Sequence, residues 1–382
     1  MTPSRRRSAT SGFTLIEMLV AITIFTILMI GLFNLLDSST RISKIEDALA
    51  DTQENVRYAT YHLMRTARMM GGSIMPFARG GAGGNAWLAG QVVDNPATNF
   101  SIFGTTLNNM PGSDILVLRG FFDVAPFFIS EADVDPTGKT VTIREHADPG
   151  GPNERVINDL SAFDTIPNVF AVPARGIIIS TNQLGTQFAP GAWTLGQYIV
   201  AQVTGSTGVQ GSTPNRNLVL TYGADPAWDV LNWDGNAIAG SAPAFGDSSR
   251  AGILEAYAYY VDTNMVLRRV AQRSGGAGEP VAINIGNLQV SLGIDADANG
   301  SLNPATEWDT SPTLAEALAG NGPIAMRFTV LGRTPFEVQD WTEPAVTFAG
   351  AGNMTAPGGG VAGPRHAKWR RMDVAVALRN FL

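Results

Sequence analysis

Residues 13–36, FTLIEMLVAITIFTILMIGLFNLL, are apolar apart from Glu17, a few threonines and Asn34. As a helix rising 1.5 Å per residue they would span roughly 36 Å, enough to cross a bilayer. Residues 1–12, MTPSRRRSATSG, are polar and carry Arg5, Arg6 and Arg7. Arginines ahead of the span predict a cytoplasmic N-terminus with the bulk of the chain across the membrane. An ordinary secretory signal peptide fits poorly. Its apolar region is short and ends at a small-residue cleavage site, whereas this run is long and FNLLDSSTR is a poor site. A plain single-pass anchor explains the length and the arginines but leaves Glu17 without a reason. A carboxylate inside such a span costs roughly 2.5–3.5 kcal/mol, and a residue of this kind usually has a partner.

Ser11-Gly12-Phe13-Thr14-Leu15-Ile16-Glu17 closely resembles the cleavage motif of type IV prepilins. A short basic leader, Gly, Phe, a Glu four residues on and a long apolar helix together make the resemblance specific. It implies cleavage after Gly12 by a prepilin peptidase and N-methylation of Phe13. It also gives Glu17 a partner, the Phe13 amino group of an incoming subunit. That pairing would offset the burial of both charges and set the register of helix on helix.

The helix is expected to continue past the membrane, since no proline occurs between Pro3 and Pro76. Ile42, Ile45, Leu49, Thr52, Val56, Ala59, Leu63, Thr66 and Met70 recur at spacings of three and four, a one-sided stripe. Lys44, Glu46, Asp47, Asp51, Glu54 and Arg57 lie off it. The stripe over 42–70 is expected to pack on the protein's own sheet, and Gly71-Gly72 to end the helix. Gly31, mid-span, costs about 1 kcal/mol against Ala and marks a place for a bend or local melting in a filament.

Beyond the helix, 71–95 reads as a Gly-rich loop. Short apolar runs bounded by turn residues then predict strands at 114–122, 141–145, 176–180, 197–204 and 217–222. The chain holds 42 Gly and 22 Pro, a density of turns that suits many short strands. Near the C-terminus the alternation is cleaner: Leu288, Val290, Leu292 and Ile294; Ile324, Met326, Phe328 and Val330; Met372, Val374, Val376 and Leu378. A period of two with one apolar face predicts half-buried antiparallel strands. Residues 257–268, YAYYVDTNMVLR, read as a hairpin turning near Asp262. The fold class is therefore α+β: a long N-terminal helix, transmembrane then amphipathic, packed on an antiparallel sheet with an enlarged β-rich head. The expected divisions are a leader at 1–12, an assembly half-helix at 13–36, an amphipathic half at 37–72, a β-rich head elaboration at 73–250 and a C-terminal antiparallel region at 251–382.

Three further stretches resemble the PilW family of minor pilins: Leu63–Gly72 at the helix end, Asn287–Asp295 with the polar loop after it, and Val374–Asn380. Thr66 stands where that family would place an acidic residue. The resemblance implies a non-catalytic subunit that helps to start pilus assembly and supports an adhesin at the tip. Its partners would be other minor pilins, the major pilin and a PilY-type tip adhesin. It would sit in the inner membrane before assembly and on a cell-surface pilus after it. A minor pseudopilin of type II secretion, and a membrane-anchored binding module or enzyme, are the alternatives.

No catalytic constellation is legible. His62, His146 and His366 are scattered, and the absence of cysteine removes disulfides, thiol catalysis and Cys-ligated zinc. A net charge of −7 speaks against nucleic acid as a partner. Gly358–Gly363 matches dinucleotide-binding spacing only formally, because Pro364 follows where a helix should begin. No cofactor is required, but Asp295-Ala296-Asp297-Ala298-Asn299-Gly300-Ser301 has the oxygen spacing of a calcium loop. Asp295, Asp297 and Asn299 would offer side chains and Ser301 a carbonyl. The full pattern wants Glu at position 306, occupied by Thr306, and Glu307 comes one residue late. A solvated turn between strands is the competing reading.

Overall fold

The computed structural model describes residues 14–70, 78–80, 86–122, 127–129, 134–135, 140–147, 149–152, 154–160, 176–180, 198–223, 249–272, 278–303, 306–313, 316, 323–336 and 368–378. The chain divides into two units, Met1–Asp51 and Thr52–Leu382. One helix, α1, runs unbroken over Leu15–Met69, straight through Gly31. Gly71 and Gly72, expected to end it, lie outside the described residues, as does Gly358–Gly363.

In the first unit the leucines, isoleucines and phenylalanines of α1 from Leu15 to Leu36 are exposed, Leu15 83% and Phe33 63% accessible, whereas Ala48 is already buried. The threonines in this stretch do not break the helix because each finds a partner within it. Thr23, Thr26 and Thr40 donate to the carbonyls of Leu19, Ile22 and Leu36 one turn back, at 2.8 Å.

In the second unit the stripe is buried as its spacing requires. Thr52, Val56, Ala59, Leu63, Thr66 and Met70 are all enclosed. Ile42, at the start of the expected stripe, is exposed.

The head is antiparallel throughout its described pairings. Its first sheet contains β1 (Gly90–Val93), β2 (Ile115–Gly120), β3 (Phe127–Ile129), β4 (Thr140–Arg144), β5 (Gly176–Ser180), β6 (Tyr198–Gln210), β7 (Asn217–Gly223), β8 (Ser249–Val261), β9 (Val266–Ala271) and β10 (Glu279–Ile283). The order runs β10-β9-β8-β5-β6-β7-β4, with β1 on β2, and β2 and β3 both on β8. The second sheet has β11 (Ile285–Ile294), β12 (Trp308–Asp309), β13 (Pro323–Arg333) and β14 (Trp369–Ala377), in the order β12-β11-β13-β14. The long strand β8 crosses residue 250 and pairs with strands from both head regions, so the two share one sheet. Its hairpin with β9 turns at Asp262, whose Oδ1 accepts the N–H groups of Asn264 and Val266 at 2.9 Å. Part of the Gly-rich segment expected as loop forms a hairpin, Ala78–Gly80 against Ala86–Leu88.

One core joins α1 to both sheets. Val56, Ala59, Leu63 and Met70 meet Leu116, Tyr257 and Tyr259 from the first sheet and Leu288, Val290, Phe328 and Val330 from the second. The helix approaches β13 so closely that a Cβ at Gly332 would fall 2.3 Å from Val56 Cγ2.

Where the sheets adjoin, residues 112–114 run beside β11. Asp114 N–H donates to Leu288 O at 2.9 Å, and Leu288 N–H donates to Ser113 Oγ at 3.1 Å. This contact corrects the expectation of a half-buried strand, because β11 is buried along its whole length. Leu288, Val290, Leu292 and Ile294 do face the core. Asn287 and Gln289, on the opposite face, are enclosed as well, and both donate to Gly112 O at 2.9 Å. Strand β14 keeps the expected alternation, with Val376 buried between exposed Ala375 and Ala377.

Candidate functional site

Gly12 and Phe13 lie outside the described residues. The structure takes up the motif at Thr14, which precedes the first helical residue. Thr14 N–H and Thr14 Oγ–H both donate to Glu17 Oε2 at 2.9 Å, and Glu17 N–H donates back to Thr14 Oγ1 at 3.3 Å. This reciprocal capping box satisfies donors that the first turn of a helix otherwise leaves open. It also places the Glu17 carboxylate near the positive end of the helix dipole. The Thr-x-x-Glu spacing is legible in the sequence, so the role of Thr14 was available from the residues alone. Beyond Glu17, α1 is long and apolar enough to cross a membrane, and its most apolar window buries nothing within the chain.

The other half of α1 is fastened to the head by a polar contact inside an apolar interface. Tyr259 Oη lies 2.9 Å from Thr66 Oγ1 and 3.3 Å from His62 Nδ1. An acidic side chain at position 66 would meet a buried phenol here; threonine meets it as a neutral partner and also donates to His62 O at 3.1 Å. Burial, then the charges of Arg269 and Arg65, hold His62 below its ordinary value and so favour the neutral imidazole. Arg269 lies over the Tyr257 ring, 4.6 Å from its centroid, and pairs with Glu279 at 2.7 Å.

The acidic loop after β11 comes together in part. Carboxylate oxygens of Asp295, Asp297 and Glu307 lie within 4.8 Å of one another. Asp295 is buried; its Oδ1 accepts Asn299 N–H at 3.1 Å and its Oδ2 accepts Gly300 N–H at 2.8 Å. The turn uses positive φ at Ala298 (58°) and Gly300 (79°). Asn299 is turned within the loop, donating to Asp297 Oδ2 at 2.8 Å and accepting from Ser301 N–H and Oγ–H at 2.8 and 2.6 Å. Glu307, displaced by one residue from the calcium-loop pattern, is returned by strand pairing rather than by an exiting helix. Strand β12 pairs Trp308 with Gly293 and Asp309 with Leu292. Three hard oxygen donors suit calcium better than a softer transition metal.

Residues 7–33 match the family model of the prokaryotic N-terminal methylation motif. The chain is type IV pilin-like. A motif of this kind implies processing by a prepilin peptidase, anchoring in the inner membrane before assembly, and assembly with other pilins. It suits a structural rather than an enzymatic protein. The match covers residues 7–12 of the expected leader and the apolar start of α1, and does not reach Leu63–Gly72, Asn287–Asp295 or Val374–Asn380. No curated protein and no solved structure matches the chain.

Proposed function

We propose that this chain is a minor pilin of a type IV pilus, PilW-like, that helps to start assembly and forms part of a tip complex supporting a PilY-type adhesin. The observation that carries the reading is the contrast between the matched motif and its setting. The described residues leave the apolar half of α1 uncovered, and lipid and then the helices of other subunits would cover it. Roughly 310 residues follow the helix, rich in Gly and Pro, a head large enough to crowd a lattice of identical neighbours. One copy at the end of a filament escapes that constraint.

The first test is the mass of the mature N-terminus. Processing after Gly12 is expected; a chain that keeps residues 1–12 in cells containing the peptidase sinks the reading. Immunogold labelling of sheared filaments then decides position. Label at one end supports a tip subunit, and label along the whole length contradicts it. Glu17→Ala should insert normally but enter filaments poorly, because the carboxylate that pairs with the Phe13 amine is gone.

We further propose calcium as the ion for Asp295, Asp297 and Glu307. An ion bound only to the folded state stabilises it by about 2.7 kcal/mol at a hundredfold excess over Kd. Calcium should raise the melting temperature of the parent and leave Asp295→Ala/Asp297→Ala unmoved. A parent indifferent to millimolar calcium would show that the loop is a turn and nothing more.

A further inference from the structure

Two carboxylates face each other inside the head. The pairing of β1 with β2 ends at Val93 opposite Ile115, so Asp94 and Asp114 come next in that antiparallel register. Asp114 is fully enclosed. Its Oδ2 accepts the Val290 N–H at 2.9 Å and its Oδ1 accepts the Asn95 N–H at 3.2 Å. Across from it, Asp94 Oδ1 is shut away from solvent and finds no hydrogen-bond partner among the described residues. Like charges directly opposite one another destabilise an antiparallel pair, and a buried carboxylate oxygen without a donor adds to the penalty.

We propose that Asp94 and Asp114 share one proton, and that this proton holds residues 112–114 against β11. With it, one carboxyl becomes a donor and the other an acceptor, and the repulsion disappears. Without it, two anions stand side by side where the first sheet meets the second. The step is a simple ionisation: the proton leaves for solvent as pH rises and returns as pH falls.

The surroundings favour the protonated pair. Burial pushes the Asp114 carboxyl up to about 7 against the opposing pull of the Val290 and Asn95 N–H groups, and Asp94 adds to the rise. Among the described residues no cation acts on it. Its own segment supplies Gly112 and Ser113, and β11 supplies Leu288, Gln289 and Val290, none of which titrates. Asp262, bridged to the same loop through Asn109, is tied to Arg268 at 2.6 Å. Since the folded-state value lies above the ordinary 3.8, the pair's contribution is complete below that pH. It is lost as pH rises through about 7. The joint between the sheets is therefore tighter in acid than in mild alkali.

The test is the urea midpoint of the full chain in detergent micelles between pH 5 and 8.5, for the parent, Asp114→Asn and Asp94→Asn. Asparagine at 114 cannot ionise and so removes the pH dependence, although its single acceptor oxygen leaves one of the Val290 and Asn95 N–H groups without its partner. The folding constant of the parent, relative to Asp114→Asn, should fall on the order of a hundredfold across this range. Parallel curves for the two overturn the proposal. Should Asp114→Asn fail to fold, Asp94→Asn decides instead. Its amide donates to the Asp114 carboxylate, so the pH-dependent loss should move to lower pH, and an unmoved transition overturns the shared proton. Hydrogen exchange at the Val290 amide locates the effect. Its protection should drop above pH 7 in the parent and persist in Asp114→Asn; equal protection in both would mean that the proton does not hold this joint.

Discussion

The two halves of α1 are continuous in backbone and opposite in environment. From Leu15 to Leu36 the helix exposes its leucines, isoleucines and phenylalanines, whereas from Thr52 to Met70 it buries a narrow stripe of small and medium side chains in the head. The first half is apolar all round, as a membrane span or a helix among helices must be. The second is one-sided, with Tyr58 and Tyr61 outside and Ala59 and Leu63 inside. Apolar content therefore does not identify a core. The breadth of the apolar surface tells which half depends on its own chain and which depends on other molecules.

A pair of truncations is the strongest way to break this contrast. Leu63→Ala removes a fully buried side chain and should destabilise the head by about 2–5 kcal/mol. Leu28→Ala removes an exposed one and should leave the urea midpoint of the head within about 0.5 kcal/mol of the parent. Equal losses would mean that the halves are not distinct. Gly332→Ala probes the close approach itself. The added methyl would collide with Val56 and Thr52, so overpacking should cost about 1–3 kcal/mol in the same assay.

A smaller effect tests the polar fastening of the second half. Thr66→Val takes one partner from the buried Tyr259 hydroxyl and should cost about 1 kcal/mol. His62 gives the same contact a pH dependence. Its folded-state value is depressed, so its contribution is present above the ordinary 6.5 and is lost as pH falls through the folded value. His62→Gln should flatten that acid limb of the stability profile. The smallest change is expected at the other end. Thr14→Ala removes the cap and should lower stability by about 0.5–1 kcal/mol, confined to the first turn and seen as amide exchange near Glu17 in micelles. A loss that spread into the head would show the halves to be coupled.

What could be read beforehand was local. The 52–70 part of the stripe expected over 42–70, the strands expected at 176–180 and 217–222, and the hairpin at Asp262 each follow from spacing or turn chemistry within a dozen residues. The capping box at Thr14 and Glu17 was equally near the surface of the text. The burial of Asn287 and Gln289 was not, because a period of two assigns them to solvent, whereas residues 112–114, brought in from far along the chain, take up their side chains. Thr66 and Tyr259 are separated by 193 positions, and no pattern in either segment names the other. Glu307 joined the acidic loop through a strand pairing that the calcium-loop spacing does not contain. Asp94 and Asp114 meet through sheet register, and two aspartates twenty residues apart carry no signal of it.

The contact of Thr52 with the carbonyl of Arg333 spans 281 positions, and Val56 is covered by Gly332 over a comparable gap. The helix leaves the ribosome near the start of synthesis and its cover near the end. At roughly 5–20 residues per second, the Thr52 and Val56 end of the stripe waits for β13 for on the order of tens of seconds. Its small residues, Ala59 and the threonines among them, leave less adhesive surface in that interval than a stripe of leucines would. The emerging chain must still be kept from its neighbours until β13 arrives, and the completion of the head is timed by the translation of its last quarter.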